Sequence, residues 1–185
     1  MWKDKMIQAG FWSQLFYSIS YPFLHVWLMR KVSEQMLSAN QIIICIAIII
    51  FNTIWNKYSD KLYKFFPALT ITETLAYAII HTMVIFGLIN EIAYYIIDTI
   101  LFSLITRNMI CGGNKMRSIV YKGEKREKYD NTLMIATAIA TLIGGSVALI
   151  VKIPIWVTFI ISWLGLSIDN LFYILAYYEN KDCVS

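Results

Sequence analysis

The chain has 185 residues, 58% of them hydrophobic and only 15% charged, with a formal net charge of +4. Soluble domains run at about 45–50% apolar, and a chain of this size has too little interior to hide the excess. A soluble globular protein, a disordered chain and a disulfide scaffold are therefore excluded. What remains is an all-α polytopic membrane protein, a single domain in which six spans of roughly 20 residues leave no room for a soluble catalytic unit.

The first apolar run is 11–29, preceded by Lys3 and Lys5 and ended by Arg30-Lys31. It is too long and too aromatic for a signal-peptide core, and no small-residue cleavage site follows it, so it reads as a retained span. The second run is 40–55, rich in Ile, with Cys45 expected as a small packing residue. The third is 67–89, opened by Pro67 in a first helical turn. Only Asn90-Glu91 separates it from the fourth, 92–110. A loop follows at 111–131, carrying Gly112-Gly113 and the mixed-charge run KGEKREKYD. It reads as a solvated linker, because Glu124, Glu127 and Asp130 weaken its attraction to anionic lipid. The fifth and sixth runs are 132–151 and 154–178, the last opened by Pro154.

Lys and Arg divide unevenly between the two sides of such a chain. Twelve fall in the N-terminal tail, the loops after spans two and four, and the C-terminal tail; Arg30, Lys31 and Lys152 fall opposite, and Arg107 lies within span four. This bias predicts a cell-membrane protein with both termini cytoplasmic, and it requires an even number of spans. The polar ending ENKDCVS reads as a natural terminus.

Ionisable residues inside spans are costly and mark pathways or pairings. Here they are His25, Glu73, His81, Asp98, Arg107 and Asp169. Asp98 lies seven residues past Glu91 and His81 eight before Ile89, so each is about 10–12 Å deep, and a tight hairpin brings them together. Such a pair either carries a proton or ties two helices statically. Asp98 and Arg107 are nine residues apart, about 900° of rotation on an α-helix, so they need different partners. For Arg107 the expected partner is Asp60, with Glu73 second, or else it snorkels to the headgroups. Gln14, Tyr17, Tyr21 and His25 recur at steps of three or four along span one, with Pro22 on the same face. With Asn52 of span two they are candidates for a polar substrate cavity, against the plainer reading of aromatic packing.

Enzyme motifs are missing. There is no His-Glu-x-x-His, P-loop or G-x-S-x-G, no clustered aspartates of a lipid phosphotransferase, and no closely spaced His and Cys of a peptidase. The three cysteines have no metal-ligand spacing. No enzyme activity, metal or cofactor is expected, and no nucleic-acid partner, since topology accounts for the cations.

The stretch Asn56-Lys57-Tyr58-Ser59-Asp60-Lys61-Leu62-Tyr63-Lys64 places a carboxylate and two cations at the end of span two. It resembles the signature loop between helices two and three of the major facilitator superfamily, with Asp60, Lys61 and Lys64 on matching positions and both glycine positions replaced, by Asn56 and Tyr63. Arg107, Gly112-Gly113 and the charged run after them resemble the family's fourth-helix arginine and the linker that follows. Gly144-Gly145 resembles its glycine-rich fifth helix, without the full exporter motif.

The chain is thus similar to the amino-terminal six-helix half of a twelve-helix transporter, whose halves are parallel repeats. The resemblance implies a half-size transporter of a small solute, amphipathic or cationic and proton-coupled, acting as a parallel homodimer or with another half. It implies gating by Asp60, Lys61, Lys64 and Arg107, whose alternative is an ordinary positive-inside loop; charge coupling is expected of His81 and Asp98 from their depth and the hairpin that joins their spans. Glu73 and Asp169 fall on helices that are peripheral in that family. The competing function is a substrate-binding, accessory or immunity-type subunit of a larger membrane complex.

Overall fold

The computed structural model describes residues 4–180. Lys3, Lys181 and Cys183 lie outside that range. Every regular element among the described residues is helical: α1 Lys5–Met29, α2 Glu34–Tyr63, α3 Phe66–Ile85, α4 Glu91–Leu101, a π-helical turn Phe102–Thr106, α5 Arg107–Val120, α6 Glu124–Ile150 and α7 Ile155–Asn180. All-helical structure is what a bilayer demands of a spanning chain, because backbone polar groups have no water to bond. Among the described residues five stretches are long and apolar enough to cross a membrane: α2, α3, the continuous rod Glu91–Val120, α6 and α7. α1 has 25 residues but is not one of the five. Its Gln8, Ser13, Gln14, Ser18, Ser20 and His25 dilute its hydropathy.

The helices outrun the apolar stretches on which the sequence boundaries were drawn. Segment 111–131, expected as a loop, is helical except at 121–123. Gly123 breaks the chain at φ 55°, a left-handed value that favours glycine. Glu124 and Glu127 then sit in the first turn of α6, where acidic groups suit the helix dipole. Elsewhere the stops follow local chemistry. The Ser33 hydroxyl accepts from the Met36 amide at the start of α2, and the Asn90 side chain accepts from the Ala93 amide at the start of α4. α3 ends in a Schellman turn: the Gly87 amide donates to the Val84 carbonyl and the Leu88 amide to Met83, with Gly87 at φ 68°.

The chain divides into two compact units. The first joins α1 as far as His25 with the chain from Arg117 onward. Small residues set its packing. Ala136, Ala140 and Gly144 recur every fourth residue on α6, and all three are buried. A Cβ on Gly144 would lie 2.7 Å from the Leu15 carbonyl oxygen and 2.8 Å from Ser18 Cβ, so the α1 and α6 backbones nearly touch. Gly165 of α7 receives the Phe16 ring in the same way. At one end Asp4 caps α1 by accepting from the Met6 amide at 2.9 Å and the Ile7 amide at 3.3 Å. Its other oxygen accepts from the Tyr121 hydroxyl, and Lys5 pairs with Glu179. The start of α1, the end of α7 and the α5–α6 junction therefore meet at one end of this unit.

The second unit runs from Val26 to Met116 and contains α2, α3, α4, the π turn and most of α5. Gly112 admits the Phe66 ring, and a Cβ there would also come within 3.2 Å of the Trp55 ring. A glycine inside a helix that costs about 1 kcal/mol in propensity is retained where a large ring must approach. Cys45, expected inside, is exposed on α2. Its neighbours Ile42, Ile43, Ile46, Ile49 and Ile50 are exposed too, so this helix turns its isoleucine face outward.

Candidate functional site

The second unit holds a file of polar side chains along the Glu91–Val120 rod. At one end His81 of α3 is buried, with its Nε2 3.4 Å from the Tyr94 hydroxyl and its ring edge-on to Tyr77. One turn further along, the Tyr77 hydroxyl lies beside the Asp98 carboxylate. Glu73, also buried, completes a row with Tyr77 and His81 at every fourth residue of α3.

A tyrosine thus meets each member of the expected His81–Asp98 pair, and the register explains why. In this antiparallel hairpin Tyr94 faces His81 and Asp98 faces Tyr77, so His81 and Asp98 are one turn out of step. A turn over 86–90, longer than the two-residue break read from the sequence, sets that offset. Tyr77 and Tyr94 stand between the two candidates, and neither was selected by sequence. Their spacing of four from His81 and from Asp98 was the available signal.

Next along the rod comes the π turn, packed against both α2 and α3. A π turn holds one residue more than an α turn. The rotation from Asp98 to Arg107 thus falls from about 900° to about 800°, leaving the two about 80° apart rather than opposed. Asp98 keeps its contact with α3, and Arg107 turns to α2, where its Nη2 donates to Asn52 Oδ1 at 3.0 Å. Cys111 Sγ lies 3.3 Å from the same oxygen. Ser103, buried within the π turn, has no hydrogen-bond partner for its hydroxyl, and Arg107 Nε is likewise buried without an acceptor.

The file continues to the other end. Trp55 Nε1 donates to Asn108 Oδ1 at 2.8 Å, and Lys115 Nζ pairs with Asp60 at 2.8 Å. Asp60 has a cation, but it is Lys115 and not Arg107. α5 runs two turns past Arg107 before it reaches the level of Asp60, and Arg107 is occupied at Asn52. Lys61 is exposed beside Asp60, and Lys64 is exposed just past the end of α2. From Tyr94 to Lys115 the rod rises about 30 Å, the thickness of a bilayer's hydrocarbon core.

The cavity candidates on α1 belong to the first unit and do not enclose a cavity there. Gln14 donates to Thr141 of α6 at 2.9 Å and to Ser18 at 3.2 Å. Tyr17, Tyr21 and His25 form an exposed stack, with ring centroids 4.8 and 5.4 Å apart. Asn52 belongs to α2 in the second unit.

The first unit has a polar cluster of its own that the sequence reading missed. Tyr121 stacks on Tyr129 at 4.1 Å and donates to Asp4; burial, then Asp4, raises the Tyr121 hydroxyl above the ordinary tyrosine range. Arg117 lies beside Tyr173, which also lies beside Asp169. Asp169, unplaced by the family pattern, is thus part of a local network one turn from Tyr173. Among the described residues no group of three or more His, Cys, Asp or Glu stands close enough to hold a metal ion. Comparison of the chain with protein-family models, curated proteins and solved structures finds no match.

Proposed function

We propose that the chain is a half-size, proton-linked membrane transporter that moves a small solute as a parallel pair of six-span units. The observation that supports this reading best is the polar file His81–Tyr94, Tyr77–Asp98, Ser103, Arg107–Asn52, Trp55–Asn108 and Lys115–Asp60, which runs the thickness of a bilayer within one unit. Buried polar and ionisable groups are expensive in a membrane, and a helix bundle that needed only to pack would omit them. Asp98 and His81 carry the proton in this reading, relayed by Tyr77 and Tyr94. Asp60 and Lys115, with Lys61 and Lys64 beside them, close the cytoplasmic end.

α1 is taken as the sixth span, held in place by its close crossing with α6. The joining of Asp4 and Lys5 with Tyr121 and Glu179 supports termini on one side, which the charge bias makes cytoplasmic. The exposed face Tyr17–Tyr21–His25 is then the wall that a second copy completes, because alternating access needs two repeats rocking against each other. This arrangement keeps the likeness to a major facilitator half as a proposal about assembly.

The test is uptake into proteoliposomes under an imposed pH gradient, with wild type beside Asp98→Asn. Gradient-driven uptake that Asp98→Asn abolishes, from a protein that cross-links as a dimer, is the expected result. Uptake indifferent to pH in both proteins would remove Asp98 from the mechanism. A monomer that binds solute tightly and moves none would replace this reading with the accessory-subunit one.

A further inference from the structure

From the surroundings of Arg107 we infer that this residue, with Asn52, receives an anionic group, a carboxylate or phosphate, so that the ligand is an anion rather than a cation. Arg107 is a permanent charge in the apolar part of the rod, eight residues (about 12 Å) from Lys115 and the ion pair at the rod's end. A guanidinium in such surroundings calls for a carboxylate. Yet among the described residues Arg107 makes no ion pair; its hydrogen bond goes to the neutral Asn52 amide.

Two of the acidic candidates are placed elsewhere: Asp60 pairs with Lys115, and Asp98 lies beside Tyr77, past the π turn. Of five guanidinium donors, Nη2 holds Asn52 Oδ1, while Nε is buried with no acceptor. One turn away Ser103, 4% exposed, offers a second buried hydroxyl with no partner. Asn52 Oδ1 is already shared by Arg107 and Cys111, so the carbonyl end of the amide is spent.

Asn52 itself is exposed on α2, so the group can be approached from outside the unit while Nε faces inward. An anionic oxygen arriving there meets a guanidinium and the Asn52 amide, both able to donate. The π turn between Asp98 and Arg107 places this cation next along the rod from the proposed proton carboxylate. The inference rests on the transport reading only in taking the bound anion for the transported solute.

The experiment uses the full chain in neutral detergent, with the fluorescence of Trp55 and its neighbours and the melting temperature as readouts. The probes are benzoate, the isosteric amide benzamide and the cation benzylamine, with phosphatidylglycerol added in a separate arm. The expected result is saturable, stabilising binding of benzoate or of phosphatidylglycerol, and none of benzamide or benzylamine; competition between the two anions assigns the source to solute or lipid. Arg107→Gln should weaken that binding roughly tenfold or more, and Arg107→Lys less, since Lys keeps the charge without the fork.

Asn52→Asp is the decisive variant. It places a carboxylate where Arg107 already bonds, so anion binding should be lost while the melting temperature holds or rises. Anion binding unchanged in Asn52→Asp and Arg107→Gln overturns the inference, as does preferential binding of benzylamine. Gradient-driven uptake of a cation that depends on Asp98 would overturn the anion site and leave the transport reading standing.

Discussion

Adjacent glycines on α6 give a controlled test of the packing that holds the first unit together. A Cβ on Gly144 would stand 2.7 Å from the Leu15 carbonyl oxygen, 2.8 Å from Ser18 Cβ and 3.3 Å from the Ile19 amide nitrogen, whereas one on Gly145 meets nothing within 4 Å. The atoms in the way include α1 backbone, which cannot swing aside as a side chain can. Gly144→Ala must therefore force the two helices apart by several tenths of an ångström. Overpacking of this kind costs about 1–3 kcal/mol. Both alanine variants regain the helix propensity lost to glycine, about 1 kcal/mol, so their difference isolates the crossing. Gly144→Ala should be less stable than Gly145→Ala by about 1–3 kcal/mol, and Gly145→Ala should be at least as stable as wild type. Reversible unfolding in mixed dodecylmaltoside–SDS micelles, followed by tryptophan fluorescence, measures both. Equal stability of the two variants would refute the close α1–α6 crossing, and with it the account of why α6 carries small residues at every fourth position.

Three more outcomes follow from the ends of the helices. Asp60→Asn should change the stability little, because its partner Lys115 is reached across an exposed surface; a double-mutant cycle with Lys115→Met in the same unfolding assay should give a small coupling that fades in high salt. Asp4→Ala removes the α1 cap and should destabilise by about 1 kcal/mol, with Asp4→Asn restoring most of the loss. Tyr121 should be late to ionise in a tyrosinate absorbance titration, since its folded value is raised by burial and then by Asp4. The stability it contributes is fully present below the ordinary tyrosine range and disappears as the pH climbs through the raised value; Asp4→Ala should bring its titration down.

The apolar runs announced the helices because a bilayer leaves few alternatives, and their starts were legible where a residue has a local job. Pro67 opens α3, Asn90 caps α4, and Pro154 directly precedes α7. What hydropathy hid was helix continuing into charged sequence. Segment 111–131 reads as loop by composition, yet Arg126–Asp130 and the acidic first turn of α6 are helix-supporting features that a hydropathy window averages away. The π turn was invisible for a different reason. It is a one-residue change of phase within an apolar run, so it alters which neighbour Arg107 meets without altering composition. The residues of the polar file were legible one at a time, since His81, Asp98 and Arg107 are conspicuous in apolar sequence. Their partners were not, because the α3–α4 register and the reach of α5 belong to tertiary structure. The face of Gln14, Tyr17, Tyr21 and His25 was legible as a periodicity, whereas its lack of enclosure within the unit was not.

Infrared difference spectroscopy of the full chain in lipid tests most directly whether Asp98 exchanges a proton from within the polar file. Between about pH 4 and pH 9, a range that brackets ordinary carboxylate and imidazole titrations, a protonated-carboxyl stretching band should appear and disappear reversibly. It should be absent from Asp98→Asn and displaced in Tyr77→Phe, which removes the hydroxyl beside Asp98. A spectrum in which Asp98→Asn removes no pH-dependent band would mean that this carboxyl never changes its proton, and the file would be a structural tie between helices rather than a path.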